Sequence, residues 1–110
     1  MYTKKEREQY NHSREIVCKD LGITVNQYNW FRRKGAELNR IYTDNCNGFY
    51  ENEDEYEKIS AEVETKVSKR VNDLELFVYF QTDPRGATIY LSKKPIESND
   101  YNRSGSHCIY

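Results

Sequence analysis

The sequence predicts an α+β fold in which three helices pack on a small three-stranded antiparallel sheet. Two observations support this class. From residue 24 to residue 72, apolar side chains recur every three or four positions, the spacing that places them on one face of a helix. From residue 74 to residue 92, two β-rich runs flank a tight turn, which is typical of a hairpin. A chain of 110 residues supports one hydrophobic core, so we expect a single domain over residues 1–110.

Residues 3–48 are predicted to form a pair of helices. The first helix covers residues 3–20 and stops at Gly22, because glycine suits the left-handed conformation that often follows a helix. The second helix starts after Thr24, which has the spacing of a capping box with Gln27.

The second helix is expected to continue to about Asp44 and to end in the segment 45–48, whose asparagines and glycine tolerate left-handed backbone. Gly35 lowers the intrinsic stability of this helix, so we expect another backbone or an aromatic ring to pack closely against it. The predicted buried stripe consists of Tyr28, Phe31, Gly35, Leu38 and Tyr42.

A third helix is predicted over residues 52–72. Asn52 is a suitable N-cap, and the acidic residues that follow it interact favourably with the positive end of the helix dipole. One apolar residue every fourth position predicts a single buried face, formed by Ile59, Val63, Val67 and Val71.

Residues 74–110 are predicted to form a hairpin followed by a short terminal strand at 106–110. Pro84 supplies the φ that the second position of a type I turn prefers, and Asp83 is placed to accept hydrogen bonds from the turn's backbone. We expect valine at Gly86 to destabilise the fold if this glycine needs a positive φ. Both faces of the predicted hairpin are fairly apolar, so one face is expected to pack on the helices and the other to be partly exposed. Along the strands, Leu76, Val78 and Phe80 alternate with Phe77, Tyr79 and Gln81, and Ala87, Ile89 and Leu91 alternate with Thr88 and Tyr90.

The composition argues against several functional classes. The net charge is −1, without the basic excess of a general nucleic-acid-binding protein. No apolar run has the length of a membrane span, and the first residues lack the pattern of a signal peptide. These observations predict a soluble, cytoplasmic protein. Ten tyrosines favour a protein-binding surface, since tyrosine and arginine are enriched in hot spots.

No motif predicts catalysis or a bound cofactor. The sequence shows no nucleophile–base set, no glycine-rich phosphate loop and no metal-binding helix motif, so we expect a non-enzymatic protein. The cysteines, Cys18, Cys46 and Cys108, are far apart and are expected to be free thiols. A composite zinc site from these three and a histidine is the alternative, although no ligand pair has the usual local spacing.

Residues 17–41 also have the pattern of a helix-turn-helix DNA-binding motif. A short helix, a turn around Gly22 and a second helix follow one another in the expected order. A DNA-binding regulator is therefore an alternative function. The side chains that would contact the groove are Asn26, Gln27, Asn29, Arg32 and Arg33.

The turn at 83–86 places an arginine at the tip of a hairpin. In one interpretation Asp83 caps the turn and Arg85 faces solvent or forms a salt bridge. In the other, the hairpin holds Arg85 out to bind a carboxylate, a phosphate or a partner surface.

Two blocks of the chain resemble a group of small phage and prophage proteins of unknown function. The first is YNWFRRKGAELNRIY at 28–42 with Cys-Asn-Gly at 46–48, an Arg-Arg helix that ends near Cys-Asn-Gly. The second is QTDPRGATIYL at 81–91, a Gln-Thr-Asp-Pro-Arg-Gly hairpin followed by Tyr101 and a terminal strand. The first helix is not part of the resemblance.

The resemblance implies a phage protein that acts in the cytoplasm of the infected host cell. Together with the small size, it suggests a non-enzymatic protein that binds and inhibits a host protein, with anti-defence activity such as that of anti-CRISPR proteins. It also implies that one constellation binds the partner, in which an arginine of the second helix pairs with Asp83. A small nucleotide-ligand binder around Arg85, Tyr90 and the helix arginines is a further alternative. The implied partner-binding residues are Arg32, Arg33, Arg40, Asp83, Arg85 and Tyr90.

Overall fold

Three helices precede three strands in the computed structural model, which describes residues 3–96 and 106–110. The strands form one antiparallel sheet in which each strand pairs with the next along the chain, and the predicted α+β class is confirmed. Tyr101, which belongs to the resemblance described above, lies outside the described residues. The elements are α1 (Lys4–Leu21), α2 (Val25–Cys46), α3 (Glu53–Asp73), β1 (Phe77–Asp83), β2 (Gly86–Ser92) and β3 (His107–Cys108).

The helices begin where side-chain caps satisfy their first N–H groups. Thr24 accepts a 3.1 Å hydrogen bond from the backbone N–H of Gln27, whose side chain accepts one of 2.8 Å from the Thr24 N–H. This is the predicted capping box. An equivalent box between Thr3 and Glu6 starts α1, and the Asn52 side chain caps α3 by accepting from the Glu55 N–H at 2.9 Å.

The three helices end in the same backbone motif, in which one residue adopts a positive φ and two N–H groups turn back to the last helical carbonyls. Gly22 (φ 69°) and Gly48 (φ 79°) occupy this position after α1 and α2, as the sequence predicts. After α3 the position is taken by Glu75, with φ 57°. The next residue, Leu76, donates to the Val71 carbonyl at 2.9 Å and packs in the core.

Helix α2 lies at the centre of the fold, in contact with α1, α3 and β2. Four members of its predicted stripe are buried, and Phe31 and Leu38 are fully inaccessible to solvent. Tyr42 is only partly buried, and its neighbour Ile41 is the fifth buried residue of α2. Burial of these apolar groups is the main stabilising contribution. The core is completed by Val63, Val67 and Val71 of α3, by Ala87, Ile89 and Leu91 of β2, and by Ile109.

One face of the sheet packs on the helices, and the structure shows which of the two alternating sets forms it. In the β1–β2 register Val78 is opposite Leu91 and Phe80 is opposite Ile89, so these four side chains share one face of the sheet. The terminal strand is shorter than the predicted 106–110, because β3 covers only His107–Cys108.

Gly35 allows the end of the chain to approach α2. A Cβ at this position would lie 2.5 Å from Cβ of Tyr110 and 3.0 Å from Cγ. The expected close packing of an aromatic residue is therefore confirmed, and it places the last residue of the described chain against the middle of the central helix.

Candidate functional site

Helix α2 and the hairpin meet at two polar side chains. The Oδ1 atom of Asn39 accepts a 2.9 Å hydrogen bond from the Ala87 N–H. The Thr43 hydroxyl lies 2.9 Å from the carbonyl oxygens of both Asn39 and Arg85, so its hydrogen is donated to one of them at a time. The predicted contact between helix and hairpin exists, but Asn39 and Thr43 form it.

Asp83 stabilises its own turn. Its Oδ1 atom accepts hydrogen bonds from the backbone N–H groups of Arg85, at 2.6 Å, and Gly86, at 3.0 Å. This confirms the predicted role of Asp83 in the turn. The implied pairing of Asp83 with an arginine of α2 is absent among the salt bridges of residues 3–96 and 106–110.

Gly86 has a different role from the one expected. Its φ is not in the positive range, so the turn does not need glycine for its backbone conformation. A Cβ at this position would instead meet Oδ1 of Asn39. Glycine is needed here because the helix side chain that binds Ala87 occupies the space above residue 86.

The three arginines of α2 point in different directions. Arg32 is partly buried and donates a 3.2 Å hydrogen bond to the Ile109 carbonyl, so it anchors the terminal strand. Arg33 is exposed. Arg40 is 84% exposed and lies 3.7 Å from the carboxylate of Asp44, one turn further along the helix. A surface ion pair of this kind adds little stability.

The six residues implied by the resemblance are therefore spread along the molecule. Arg85 is exposed at the hairpin tip, beside the helix turn that carries Asn39 and Thr43. Tyr90 lies in the middle of β2, opposite Tyr79, with the two ring centres 6.4 Å apart. Arg32 lies about two helical turns from the hairpin contact, roughly 10 Å along the axis.

The residues of the helix-turn-helix interpretation are partly engaged inside the protein. Gln27 belongs to the capping box of α2, and Arg32 binds Ile109. The Asn29 side chain accepts a 3.4 Å hydrogen bond from Arg14 of α1. Asn26 and Arg33 are the exposed members of the set.

An aromatic and cationic cleft between α2 and α3 was not identified in the sequence. The guanidinium of Arg70 lies 4.5 Å from the centre of the Trp30 ring, and the Lys34 amine lies 5.7 Å from it. Both are cation–π distances. The cleft has a volume of about 270 Å³. We call it the Trp30 cleft; its lining residues are Trp30, Lys66, Lys69, Arg70 and Asp73.

The Trp30 cleft forms because α3 runs antiparallel to α2. Trp30, near the start of α2, meets Arg70 near the end of α3, whereas Tyr42 meets Tyr56 at the opposite ends. The charge along α3 changes from acidic in its first turn to basic at 66–70, which was visible in the sequence. The sequence did not show that Trp30 would pack against that basic segment.

A second cleft lies between α1 and α2. It has a volume of about 380 Å³ and is lined by Arg7, Tyr10, Asn11 and Arg32. The guanidiniums of Arg14 and Arg32 lie 5.5 Å and 5.3 Å from the centre of the Tyr10 ring. We call it the arginine–tyrosine cleft.

The arginine–tyrosine cleft borders the buried hydroxyl of Tyr28. Burial raises the pKa of Tyr28, as does the neighbouring Tyr10, and Arg32 opposes the shift. Tyr28 therefore stays protonated at neutral pH and adds no negative charge to the arginines beside it.

The cysteines are free in the structure. Cys18 is buried, and Cys46 and Cys108 are exposed. Burial raises the pKa of Cys18, so its thiol stays protonated and poorly nucleophilic at neutral pH. Within the two described segments, no group of three His, Cys, Asp or Glu residues is arranged to hold a metal ion. No helix in those segments combines the length and apolarity that crossing a membrane requires.

Comparison with known proteins gives no further information on function, since no family model, curated protein or solved structure matches this chain. The resemblance to phage proteins therefore stays a prediction.

Proposed function

We propose that this protein is a non-enzymatic, phage-encoded binding protein that attaches to a host protein and inhibits it, with anti-defence activity of the anti-CRISPR type. The observation that supports this proposal is the Trp30 cleft. The cleft presents a tryptophan and an arginine at a partly exposed position between two helices, and these residue types dominate binding energy at protein interfaces.

The Trp30 cleft has the organisation of an interface anchor. Trp30 packs against the core, and its ring meets the Phe31 ring edge-on at 5.2 Å, so its position is held before any partner arrives. The stacked guanidinium of Arg70 limits the motion of both groups. Preorganised side chains lose less conformational entropy on binding, which favours affinity.

The charge of the cleft selects an acidic partner surface. Lys66, Lys69 and Arg70 surround it, with Asp73 as the acidic residue of the lining. Arg33, one of the residues implied by the resemblance, is exposed three positions after Trp30 and therefore neighbours it on the helix surface. The proposed partner presents carboxylates at this position, since complementary charge steers association.

Reversing the charge of the cleft tests the proposal. The protein is expressed in a bacterial host that carries a defence system, and the host is challenged with a phage that the system restricts. Wild-type protein should restore phage growth. The double variant Lys66→Glu/Lys69→Glu should lose this effect, and purified protein should lose binding to the affected defence protein.

The matched control is Lys93→Glu/Lys94→Glu, which makes the same charge change at exposed residues after β2. This variant should behave as wild type. The proposal is wrong if wild-type protein leaves every tested defence system active. The assignment to the Trp30 cleft is wrong if the two double variants have the same effect.

A DNA-binding regulator is the competing function and makes a different prediction. Wild-type protein would then retard a DNA fragment in a mobility-shift assay, with binding that weakens steeply as salt rises. Alanine at Arg33, which is exposed on α2, would reduce that binding. Salt-sensitive DNA binding without any effect on host defence would favour the regulator.

A further inference from the structure

We propose that the arginine–tyrosine cleft between α1 and α2 binds the phosphate group of a small ligand. This site is separate from the Trp30 cleft, because Arg32 and Trp30 are two residues apart on α2 and so point to nearly opposite sides of it. The inference therefore does not depend on the proposed host-protein interface.

The face of α1 that meets α2 changes character along its length. Cys18 and Leu21 form its buried part near the end of the helix. The same face continues at three-and-four spacing through Arg14, Tyr10 and Arg7, which are cationic or aromatic. A face that served only to pack on α2 would be expected to remain apolar, so the arginines need another explanation.

The guanidiniums of Arg14 and Arg32, which both face Tyr10, are held in place by the fold. Arg14 donates to Asn11 at 3.2 Å and to Asn29 at 3.4 Å, and Arg32 donates to the Ile109 carbonyl at 3.2 Å. Both also stack on Tyr10, and Arg32 lies 5.8 Å from the centre of the Tyr110 ring. The Nε atom of Arg14 is buried without a hydrogen-bond partner among the described residues.

Among the described residues, no carboxylate lines the cleft beside its arginines. Its lining contains two arginines, a tyrosine and an asparagine. Within the part of the chain that the structure describes, none of Arg7, Arg14 and Arg32 forms a salt bridge with a carboxylate. Like charges gathered around one ring repel each other, and a bound anion would remove that repulsion.

A phosphate fits this arrangement better than a carboxylate does. A phosphate carries up to two negative charges and at least three acceptor oxygens, enough for several guanidiniums at once. Since Arg14 and Arg32 already stack on Tyr10, the ring is not available to stack on a nucleotide base. The cleft volume of about 380 Å³ is that of a small-ligand site.

Calorimetric titration of the full chain tests the site. Inorganic phosphate, AMP and ATP are titrated in separate experiments at constant ionic strength, with acetate as a carboxylate control. At least one phosphate-bearing compound should bind saturably and more tightly than acetate. Equal affinity for phosphate and AMP would show that the site recognises the phosphate group alone. Tighter binding of AMP or ATP would show that the protein also contacts the nucleoside or the additional phosphates.

Variants then locate the binding. Arg7→Gln should weaken it about tenfold, since a hydrogen bond to a charged group is worth at least that factor. Arg7 is exposed near the start of α1, so this variant should fold normally. Arg32→Gln removes the other arginine of the lining and should weaken binding at least as much, and its folding is checked by circular dichroism.

Arg40→Gln is the matched control, because Arg40 is 84% exposed and lies outside the lining of the cleft. It should bind phosphate as wild type does. The proposal is overturned if none of the three compounds binds more tightly than acetate, or if Arg40→Gln weakens binding as much as Arg7→Gln.

Discussion

The Oδ1 atom of Asn39 accepts a hydrogen bond from the Ala87 N–H and also occupies the space that a side chain at residue 86 would need. One helix side chain therefore both binds the hairpin and requires glycine in it. This relationship joins α2 to the turn at 83–86, which is the most explicit folding signal in the sequence.

Substitution of Gly86 by alanine should destabilise the protein by about 1–3 kcal/mol, the usual effect of overpacking. The added Cβ would overlap Oδ1 of Asn39, and relief of the overlap would weaken the bond to Ala87. Urea denaturation of both proteins measures the difference. In an Asn39→Ala background the same substitution should be less destabilising, by at least about 0.5 kcal/mol. Additive effects would contradict the overlap as the cause.

Substitution of Arg85 by alanine should change stability by no more than about 0.5 kcal/mol. The structural bonds of residue 85 come from its backbone, whose N–H donates to Asp83 and whose carbonyl accepts from Thr43. Its side chain is exposed. Thermal denaturation compares the variant with Asp83→Ala, which removes the acceptor and should be clearly less stable. Unfolding of the Arg85 variant would show that its side chain is structural.

Substitution of Glu75 by glycine should stabilise the protein by about 1 kcal/mol. Glu75 has φ 57°, a conformation that is unfavourable for residues with a side chain by about 1–2 kcal/mol. The reverse change at Gly48 is the control, because Gly48 has φ 79° and a Cβ there would meet no neighbouring group of the described chain within 4 Å. Gly48→Ala should lose about 1 kcal/mol for the same reason. Equal stability of Glu75→Gly and wild type in urea would contradict this account.

Substitution of Glu64 by glutamine should stabilise the protein at neutral pH. Burial raises the pKa of Glu64 above its ordinary value, so the folded state holds the proton more tightly than the unfolded state. Stability is then highest below the unfolded pKa of about 4.3 and falls as pH rises through the raised pKa. Glutamine removes this loss. Urea unfolding between pH 4 and 8 measures how the free energy of unfolding of each protein depends on pH. The control is Glu62→Gln, at an exposed position on α3, which should keep the pH dependence of the wild type.

The local structure followed from residues close together in the sequence. The capping box of Thr24 and Gln27, the glycine ends of α1 and α2 and the Asp83 turn each involve groups within a few positions of one another. Their geometry depends on local backbone sterics and hydrogen bonding, so the residue types predict it. Glu75 differs, because no local preference favours a glutamate with positive φ.

The candidate site could not be predicted in the same way. The resemblance implied that α2 and the hairpin are in contact through an arginine and Asp83. The two elements are in contact, but the side chains that join them are Asn39 and Thr43. Arg32 and Arg33 are adjacent in the sequence, but one is partly buried against Ile109 and the other is exposed. Successive residues of a helix point about 100° apart, so a modest rotation of the helix about its axis changes which of two adjacent residues faces the protein interior.

By itself, the sequence determined the α+β class, the order of the elements and most of the faces that α2 and α3 bury, because the helix period and local caps depend on neighbouring residues. Only the tertiary structure decided that Asn39 meets Ala87, 48 positions away, and that Arg32 meets Ile109, 77 positions away. The tertiary structure likewise decided that Arg70 stacks on Trp30 and that the guanidiniums of Arg14 and Arg32 both lie against the Tyr10 ring. Such contacts depend on how whole helices are rotated and docked, which is set by the packing of the complete core.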